Sequence, residues 1–313
     1  MLRHPILQLL LLCSIILYGC DQKKPKDEEK AAPVRLTFDH ILGIKYHEVK
    51  RRFSNGLSFN EMGFQQEPSW IIQFKSNDTI MAWSPQKQRM QPFFLMYDHG
   101  DVYNFAKEYF RIKKATKDSL VFQRLHVSKK EIASDIRSDV NITYYAENYI
   151  KDVLKTTPEV LQRPTKADTL YIASLSEKAN RDPANPKTAF AGRQPVRFIP
   201  RSDIISVMQK STTDPFSGRT ASYDYLFPQY RIVITKAYKD FGYEFSAVVD
   251  TAGRIHLTTF GNVLPEHREA RKKSLEAIID VYLRNLLKVI PGSTLGIPHS
   301  SEITLVVVGR KQN

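Results

Sequence analysis

Cysteine is almost absent from this chain of 313 residues, which contains only Cys13 and Cys20. Both lie within the first 20 residues, so the long remainder has no thiol for a disulfide, for thiol catalysis or for cysteine-ligated zinc. This excludes the small disulfide-stapled folds. About 290 residues remain, which is enough for two domains that each bury a core.

Catalytic signatures are also lacking. The sequence has no G-x-S-x-G elbow, no H-E-x-x-H helix and no glycine-rich phosphate loop. His47-Glu48 lacks a second histidine at helical spacing. The "DHGD" stretch at 98–101 holds residue types that ligate metals, but its glycine and aspartates are typical of a turn. We therefore predict no catalytic residue, no metal ligand and no cofactor.

The first residues have the pattern of an export signal. A short basic start precedes an apolar block at residues 5–19, which is shorter than the roughly 20 residues of a membrane-spanning helix. Its proportions are those of a secretory signal peptide, predicted over residues 1–19. The alternative is an uncleaved anchor with an incidental cysteine.

The end of this block, Leu17-Tyr18-Gly19-Cys20, resembles the lipobox of bacterial lipoproteins. That resemblance implies cleavage between Gly19 and Cys20 and attachment of lipid to Cys20. Residues 20–33 have no apolar side chain before Ala31, so we expect a lipidated flexible tether. The predicted location is the bacterial cell envelope, with the protein held to a membrane by its lipid.

Two short stretches bear on which membrane this is. Lys26-Asp27-Glu28-Glu29 is similar to the acidic export signals of Bacteroidetes surface lipoproteins, which favours the outer membrane. Asp21, directly after the cysteine, resembles the inner-membrane retention signal of enterobacteria. The two signals conflict, so the sequence does not decide which membrane and which leaflet hold the lipid.

The chain is basic, with 46 Lys and Arg against 33 Asp and Glu and a formal net charge of +13. Such a balance favours anionic partners, but nucleic acid is not expected for an exported protein. The basic residues are mostly interleaved with acidic ones, as in "EHREARKK" at 266–273, which favours a solvated surface.

Residues 34–155 are predicted to form a β-rich domain, either an antiparallel meander or a small barrel. Strands are indicated by "SWIIQFK", "TIMAWS" and "QPFFLMYD", and by two runs joined at Thr116–Ser119. Short helices are predicted at "HEVKRRF" (47–53) and "NITYYAENYIKDVLK" (141–155). The meander resembles lipocalin-like lipoproteins. A hollow barrel lined by Trp70, Trp83 and Phe94 would favour a carrier of an apolar ligand, whereas a filled core would favour a binding module.

Residues 156–222 contain seven prolines and are predicted to form a loop-rich connector. Two stretches within it have strand character, "TLYIASL" (169–175) and "PVRFIP" (195–200). "EKANRDPANPKT" (177–188) is predicted to be exposed.

Residues 223–313 have the clearest pattern. Strands are predicted at 230–238, 243–250 and 254–261, with a tight turn at Gly253. An amphipathic helix is predicted from Pro265 to Ile290, ended by Pro291-Gly292. The apolar run at 302–309 predicts a last strand buried on both faces. With the preceding domain this gives an α+β protein.

The stretches "FSAVVDTAGRIHLTTF" and "LLKVIPGSTLGIPHSSEITLVVV" are similar to the C-terminal domain of TonB-type proteins. The resemblance covers roughly residues 225–308 and implies a ββαβ domain. It also implies that an edge strand accepts an extended partner segment by β-augmentation. If strand 302–309 lies at an edge, Ile303, Leu305 and Val307 are the predicted partner-binding residues. A lipid-anchored chain cannot reach the inner-membrane motor as TonB does, so energy transduction is not expected.

Two functions follow. The first is a non-catalytic envelope lipoprotein that binds a protein or glycan partner, mainly through its C-terminal domain. The second is a carrier of an apolar ligand, or a hydrolase, with its site in the N-terminal β domain. A fold without any binding partner is a third reading, because a fold does not by itself imply a function.

Overall fold

The computed structural model describes residues 35–129, 131–133, 138–211, 221–261 and 263–311. The predicted signal peptide, tether and lipidation site at Gly19-Cys20 lie outside these residues. The described chain is mixed and mostly β, in agreement with the predicted class. No helix among the described residues has the length and apolar character needed to cross a membrane.

The N-terminal half forms a nine-stranded antiparallel sheet. After a 3-10 turn at Asp39–Ile41, its strands and a short separate hairpin (β9 and β10) follow in chain order: β1 Lys45–Phe53, β2 Ile71–Ser76, β3 Thr79–Ser84, β4 Arg89–Phe94, β5 Met96–His99, β6 Val102–Phe105, β7 Glu108–Ala115, β8 Ser119–Leu125, β9 Val127–Ser128, β10 Glu131–Ile132 and β11 Val140–Ala146. The order in this N-terminal sheet is β4-β3-β2-β1-β11-β8-β7-β6-β5. Its first and last strands, β4 and β5, are consecutive in the chain and separated only by Leu95, so the sheet nearly closes on itself.

Aromatic side chains fill the interior of this sheet. Phe38 stacks on Phe74 with ring centroids 4.5 Å apart, and Phe105 stacks on Phe110 at 4.7 Å. Trp70 meets the ring of Phe105 edge-on. Offset and edge-to-face aromatic pairs of this kind pack tightly. The predicted meander or small barrel is therefore present, with a filled interior.

The helix predicted at 47–53 is wrong, and the helix predicted at 141–155 is wrong in its first part but confirmed at residues 147–153. "HEVKRRF" belongs to β1, and residues 140–146 form β11. In β11 Ile142, Tyr144 and Ala146 are all buried, so the burial period is two. Only residues after Ala146 are helical, with a π-helical turn at Tyr149–Val153.

The stretch from 156 to 222 contains more regular structure than expected. Its helices are α1 Pro158–Leu161 and α2 Lys166–Arg181, and a third, α3, begins at its end, Ser222–Leu226. Its strands are β12 Arg197–Pro200 and β13 Ile205–Lys210. The strand predicted at 195–200 is confirmed by β12, whereas the strand predicted at 169–175 is wrong because those residues lie inside α2.

Helix α2 begins with a capping box. The side chain of Thr165 accepts a hydrogen bond from the backbone N–H of Asp168, and the Asp168 carboxylate accepts one from the backbone N–H of Thr165. Such reciprocal bonds satisfy two of the free donors at a helix start. The same carboxylate accepts bonds from the Ser58 backbone and the Arg52 guanidinium, which ties α2 to β1 and the loop after it.

The C-terminal sheet has five strands in the order β13-β14-β20-β15-β16. The elements of this region are β14 Gln229–Ala237, β15 Phe241–Val249, β16 Ile255–Phe260, α4 Pro265–Ile278, a π-helical turn at Ile279–Leu283, α5 Arg284–Leu286, β17 Leu287–Ile290, β18 Ser293–Thr294, β19 Ile297–Pro298 and β20 Ser301–Lys311. The buried residues Leu275, Ile278 and Leu283 of the helical segment pack against the sheet. The other face of the sheet carries the partly exposed side chains.

The four strands predicted at 230–238, 243–250, 254–261 and 302–309 agree with β14, β15, β16 and β20 to within two residues. Strand β13 was not predicted, and the helix is shorter than expected. It ends at Leu286, and residues 287–290 form β17, which pairs with β12. Strand β20 is also buried mainly on one face, because its buried residues alternate with half-buried ones.

Candidate binding site

A cavity of about 540 Å³ lies where α2 approaches the C-terminal sheet. Its walls come from α2, residues 187–191, residues 226–228 and the loop after β1, and its floor comes from β15 and β20. The lining residues are Glu61, Met62, Leu175, Lys178, Lys187, Thr188, Ala189, Phe190, Ala191, Leu226, Phe227, Pro228, Ser246, Glu302, Ile303 and Thr304. The volume is within the range of small-ligand sites.

One wall depends on a close backbone approach at Gly63. The N–H of Ala191 donates to the carbonyl of Met62 at 3.1 Å. Gly63 has a φ of +82°, and a Cβ atom there would lie 2.3 Å from the carbonyl oxygen of Ala191. Only glycine combines this dihedral angle with this contact, so the loop that carries Glu61 and Met62 is held against residues 190–191.

The other walls are bonded to β20 and the residue before it. The N–H of Thr304 donates to the carbonyl of Pro228 at 2.9 Å. The N–H of Ser300 donates to Oδ1 of Asn180, near the end of α2, at 2.9 Å. These bonds fix the positions of the walls on the sheet, so the cavity is preformed.

Four charged side chains line the cavity, two of each sign: Glu61, Lys178, Lys187 and Glu302. None of them makes an ion pair with another side chain in the described part of the chain. Partial burial raises the pKa of Glu302 above its ordinary value. A cationic group placed beside this carboxylate would favour its charged form.

The rim of the cavity is apolar. Phe227 is 53% exposed and Met62 is 54% exposed, although both are large hydrophobic residues. A ligand that covered them would remove apolar surface from water. The arrangement therefore suits a ligand that has apolar groups together with charges of both signs.

A buried histidine lies behind the cavity. His299 is fully buried and stacks on Phe190, with ring centroids 3.6 Å apart. Burial lowers the pKa of His299 to about 4, so the ring is neutral at pH 7. Its Nε2 lies 3.0 Å from Oγ1 of Thr294, and its Nδ1 lies 3.2 Å from the carbonyl oxygen of Ser300.

The two hydrogen-bond partners, Thr294 and Ser300, determine which ring nitrogen of His299 carries the proton. A carbonyl oxygen only accepts, so Nδ1 carries the hydrogen and Nε2 accepts from the Thr294 hydroxyl. Ser301 Oγ lies 3.3 Å from Nδ1, but a protonated nitrogen cannot take a proton from it. The His299–Ser301 pair is therefore arranged to hold the 293–301 segment together rather than to generate a nucleophile.

Three buried carboxylates have structural partners. Asp168 caps α2, and Glu48 forms a bidentate pair with Arg51. Asp250 accepts from the N–H groups of Ala252 and Arg254 and from the Arg254 side chain, which stabilises the β15–β16 turn. Within the described residues no three His, Asp or Glu side chains are grouped as metal ligands would be.

The predicted partner-binding strand is not at an edge. Strand β20 pairs with β14 on one side and with β15 on the other, and Ile303, Leu305 and Val307 are buried in the core. The prediction that these side chains meet a partner at a free edge is therefore wrong, because the strand is central and its backbone groups are already bonded. Ile303 does contribute to the cavity wall.

The turn predicted at "DHGD" is confirmed. Gly100 has a φ of +52° and links β5 to β6. His99 bonds to Asp98 at 2.5 Å, and Asp101 pairs with Arg111 at 3.2 Å, so the two aspartates have different partners.

The cavity itself was missed at the level of sequence. Its residues come from six separate stretches, and no spacing rule joins Glu61, Lys178 and Glu302. One signal was readable: Thr165-Lys166-Ala167-Asp168 is a capping-box pattern that predicts α2, the helix that forms one wall.

We find no match of this sequence to a protein-family model or to a curated protein.

Proposed function

We propose that this protein is a lipid-anchored, non-catalytic binding module of the bacterial cell envelope, and that the cavity is its binding site. One observation carries the proposal. Four charged side chains without ion-pair partners, two of each sign, line a preformed cavity with an apolar rim. All four charged side chains are exposed, so their charges are accessible to a ligand that enters the cavity.

The chemistry of the lining favours a peptide segment of another envelope protein. A peptide supplies apolar side chains for Met62 and Phe227, and charged groups of both signs for Glu302 and the two lysines. It also supplies backbone donors and acceptors for the hydroxyls of Thr188, Ser246 and Thr304. A neutral glycan would leave the charged groups unmatched.

The filled interior of the N-terminal sheet argues against the carrier hypothesis. A ligand inside that sheet would have to displace Phe38, Phe74, Phe105 or Phe110, which contact one another directly. Of the three residues expected to line a hollow barrel, only Trp70 packs against this core. Trp83 and Phe94 are exposed. No arrangement of side chains described above favours a hydrolase.

We also propose that the C-terminal sheet is a variant of the TonB C-terminal domain. The order of hairpin β15–β16, helix α4 and strand β20 supports this relationship. A difference is that β20 pairs in parallel with β14, which leaves β16 and β13 as the edges.

A site-specific crosslinking experiment tests the proposed site. A photoreactive phenylalanine analogue replaces Phe227 in the full-length chain, and intact cells are irradiated. The matched control carries the same analogue in place of Leu170, which is 61% exposed on α2 but does not line the cavity. We expect one protein adduct at position 227 and none at position 170.

The charges are tested in the same assay. Replacing both Lys178 and Glu302 with glutamine keeps the side chains similar in size and removes one charge of each sign. We expect the adduct at position 227 to fall at least tenfold. Equal adducts at positions 227 and 170, no adduct, or an adduct that the double variant leaves unchanged would contradict the proposal.

A further inference from the structure

The outward face of β3 and β4 is unusually apolar. Because Thr79 pairs with Phe94, Met81 with Pro92 and Trp83 with Met90, these residues share one face of the N-terminal sheet. Phe94 is 80% exposed, and Met96, two residues later, is 61% exposed. We call Met81, Trp83, Met90, Pro92, Phe94 and Met96 the outer apolar patch.

The opposite face of the same strands already supplies the core. Ile80 is fully buried, and Ala82 and Phe93 pack against the interior cluster. An antiparallel sheet that covers a core with one face normally presents polar residues on the other. The patch therefore is not needed for the fold, and exposed apolar patches of this kind mark interaction surfaces.

The patch lies beside the place where the chain enters the folded unit. The N–H of Phe38 donates to Oδ1 of Asn77 in the β2–β3 turn at 2.6 Å. The next residue in that turn, Asp78, accepts from the N–H of Leu95 at 2.9 Å, and Thr79 is the pairing partner of Phe94. The first described residues and the exposed Phe94 are thus at the same end of the sheet.

The sequence between the predicted lipid and this point is short. Residues 21–34 separate Cys20 from Arg35, and fifteen steps of fully extended chain span at most about 50 Å. A lipid on Cys20 would keep this end of the sheet close to the bilayer.

We propose that the outer apolar patch docks on the lipid bilayer that holds the anchor. This inference rests on the anchoring part of the proposed function and not on the cavity. Aromatic and other large apolar side chains at a bilayer surface insert into the boundary between headgroups and acyl chains. Charged residues of both signs lie near the patch in sequence, namely Lys75, Lys87, Arg89, Asp78 and Asp98, so apolar contact rather than net charge carries the docking.

The protein contains its own reporter for this contact. It has two tryptophans, of which Trp83 lies in the patch and Trp70 packs against the interior. The full-length lipidated chain is reconstituted into phosphatidylcholine vesicles with ordinary or brominated acyl chains, because bromine quenches a nearby indole. We expect brominated lipid to reduce the emission markedly, and the Trp83→Phe variant to lose most of that quenching.

A second variant tests the patch without removing the reporter. Phe94→Ser should at least halve the quenching of Trp83, whereas Val281→Ser, at an exposed apolar position in the C-terminal region, should leave it unchanged. Mass spectrometry of the purified chain establishes whether Cys20 carries lipid. A lipidated, vesicle-bound protein without quenching would overturn the docking, as would sedimentation in detergent that shows a dimer dissociated by Phe94→Ser. An unlipidated Cys20 would overturn the anchoring itself.

Discussion

The two sheets of this protein differ in what lies on the face opposite to the hydrophobic core. The N-terminal sheet curls until its inner face is filled by aromatic rings, and the outward face of β3 and β4 keeps an apolar patch. The C-terminal sheet stays open, with a helix against one face and the cavity against part of the other. The interior of the N-terminal sheet, where a carrier site was expected, is therefore filled by core side chains. The surfaces accessible to a partner lie outside both cores.

This contrast extends to the buried charges. The N-terminal sheet contains the Glu48–Arg51 pair, whose carboxylate is fully buried and also accepts from the N–H groups of Ser69 and Trp70. Burial by itself lowers the pKa of Arg51, but Glu48 more than offsets this and raises it. The region beside the C-terminal sheet instead buries His299 as a neutral ring. Stability of the two regions should thus respond differently to substitution and to pH.

The largest effect is expected from Glu48→Ala. It leaves the mostly buried Arg51 without its counter-charge, which typically costs about 3 to 5 kcal/mol. The control is Glu108→Ala, because Glu108 makes the same bidentate contact with Arg124 but both side chains are about one-third exposed. That variant should cost about 0 to 1 kcal/mol. Urea unfolding measures both, and equal losses would show that burial does not distinguish the two pairs.

Leu283→Ala tests the C-terminal region. Leu283 is fully buried between the helical segment and the sheet, so truncation should cost about 2 to 5 kcal/mol. Val281 lies in the same π-helical turn but is 58% exposed, and Val281→Ala should change stability by about 0.5 kcal/mol or less. If the free energies of unfolding of the two variants agree, the helix does not pack on the sheet as described.

The smallest effect is expected from pH. His299 has a lowered pKa of about 4, so the stability it contributes is present above the unfolded value of about 6.5 and is lost as pH falls towards 4. Burial by itself raises the pKa of Asp168, but hydrogen bonds from Ser58, Thr165 and Arg52 hold it at about 2. Its contribution is therefore lost between about pH 4 and pH 2. The shifts correspond to about 3 kcal/mol for His299 and about 2 kcal/mol for Asp168 at most.

Two variants separate these steps. His299→Gln should reduce the pH dependence of unfolding between pH 6.5 and 4, where His47 also has a lowered pKa, and Asp168→Asn should reduce that between pH 4 and 2, where Glu147 and Asp250 also have lowered pKa values. Urea titrations at pH 7, 5 and 3, followed by circular dichroism, measure both. A wild-type stability that stays constant from pH 7 to pH 4 would contradict the assignment of His299 as a neutral buried ring.

The sequence predicted the C-terminal strands well because each is a compact β-branched run bounded by turn residues. It failed at β1, where Glu48, Lys50, Arg51 and Arg52 give a charge pattern typical of a surface helix. Burial of Glu48 depends on Arg51 and on the backbone of Ser69 and Trp70, and the second of these contacts is not local. A register shift between Glu48 and Lys50 places both Glu48 and Val49 inside and hides the period of two.

The error at β11 has another cause. Ile142, Tyr145, Tyr149 and Ile150 fit a helical period, yet Ile142, Tyr144 and Ala146 fit a strand equally well. Aromatic and β-branched residues favour strands, and the neighbouring strands β1 and β8 decided the outcome. The cavity could not have been predicted, because it depends on how α2 is placed over a sheet whose strands come later in the chain.

The central position of β20 has a consequence for synthesis. Strands β14 and β15 do not pair with each other. Each pairs with β20, residues 301–311, which lies between them. While the chain is being made, the C-terminal sheet therefore cannot assemble until nearly all of the described residues have left the ribosome, since a sheet closed by distant segments forms late. For the proposed export, which requires a chain that crosses the membrane unfolded, this order of assembly would delay the folding of the region until the strand that completes it has been made.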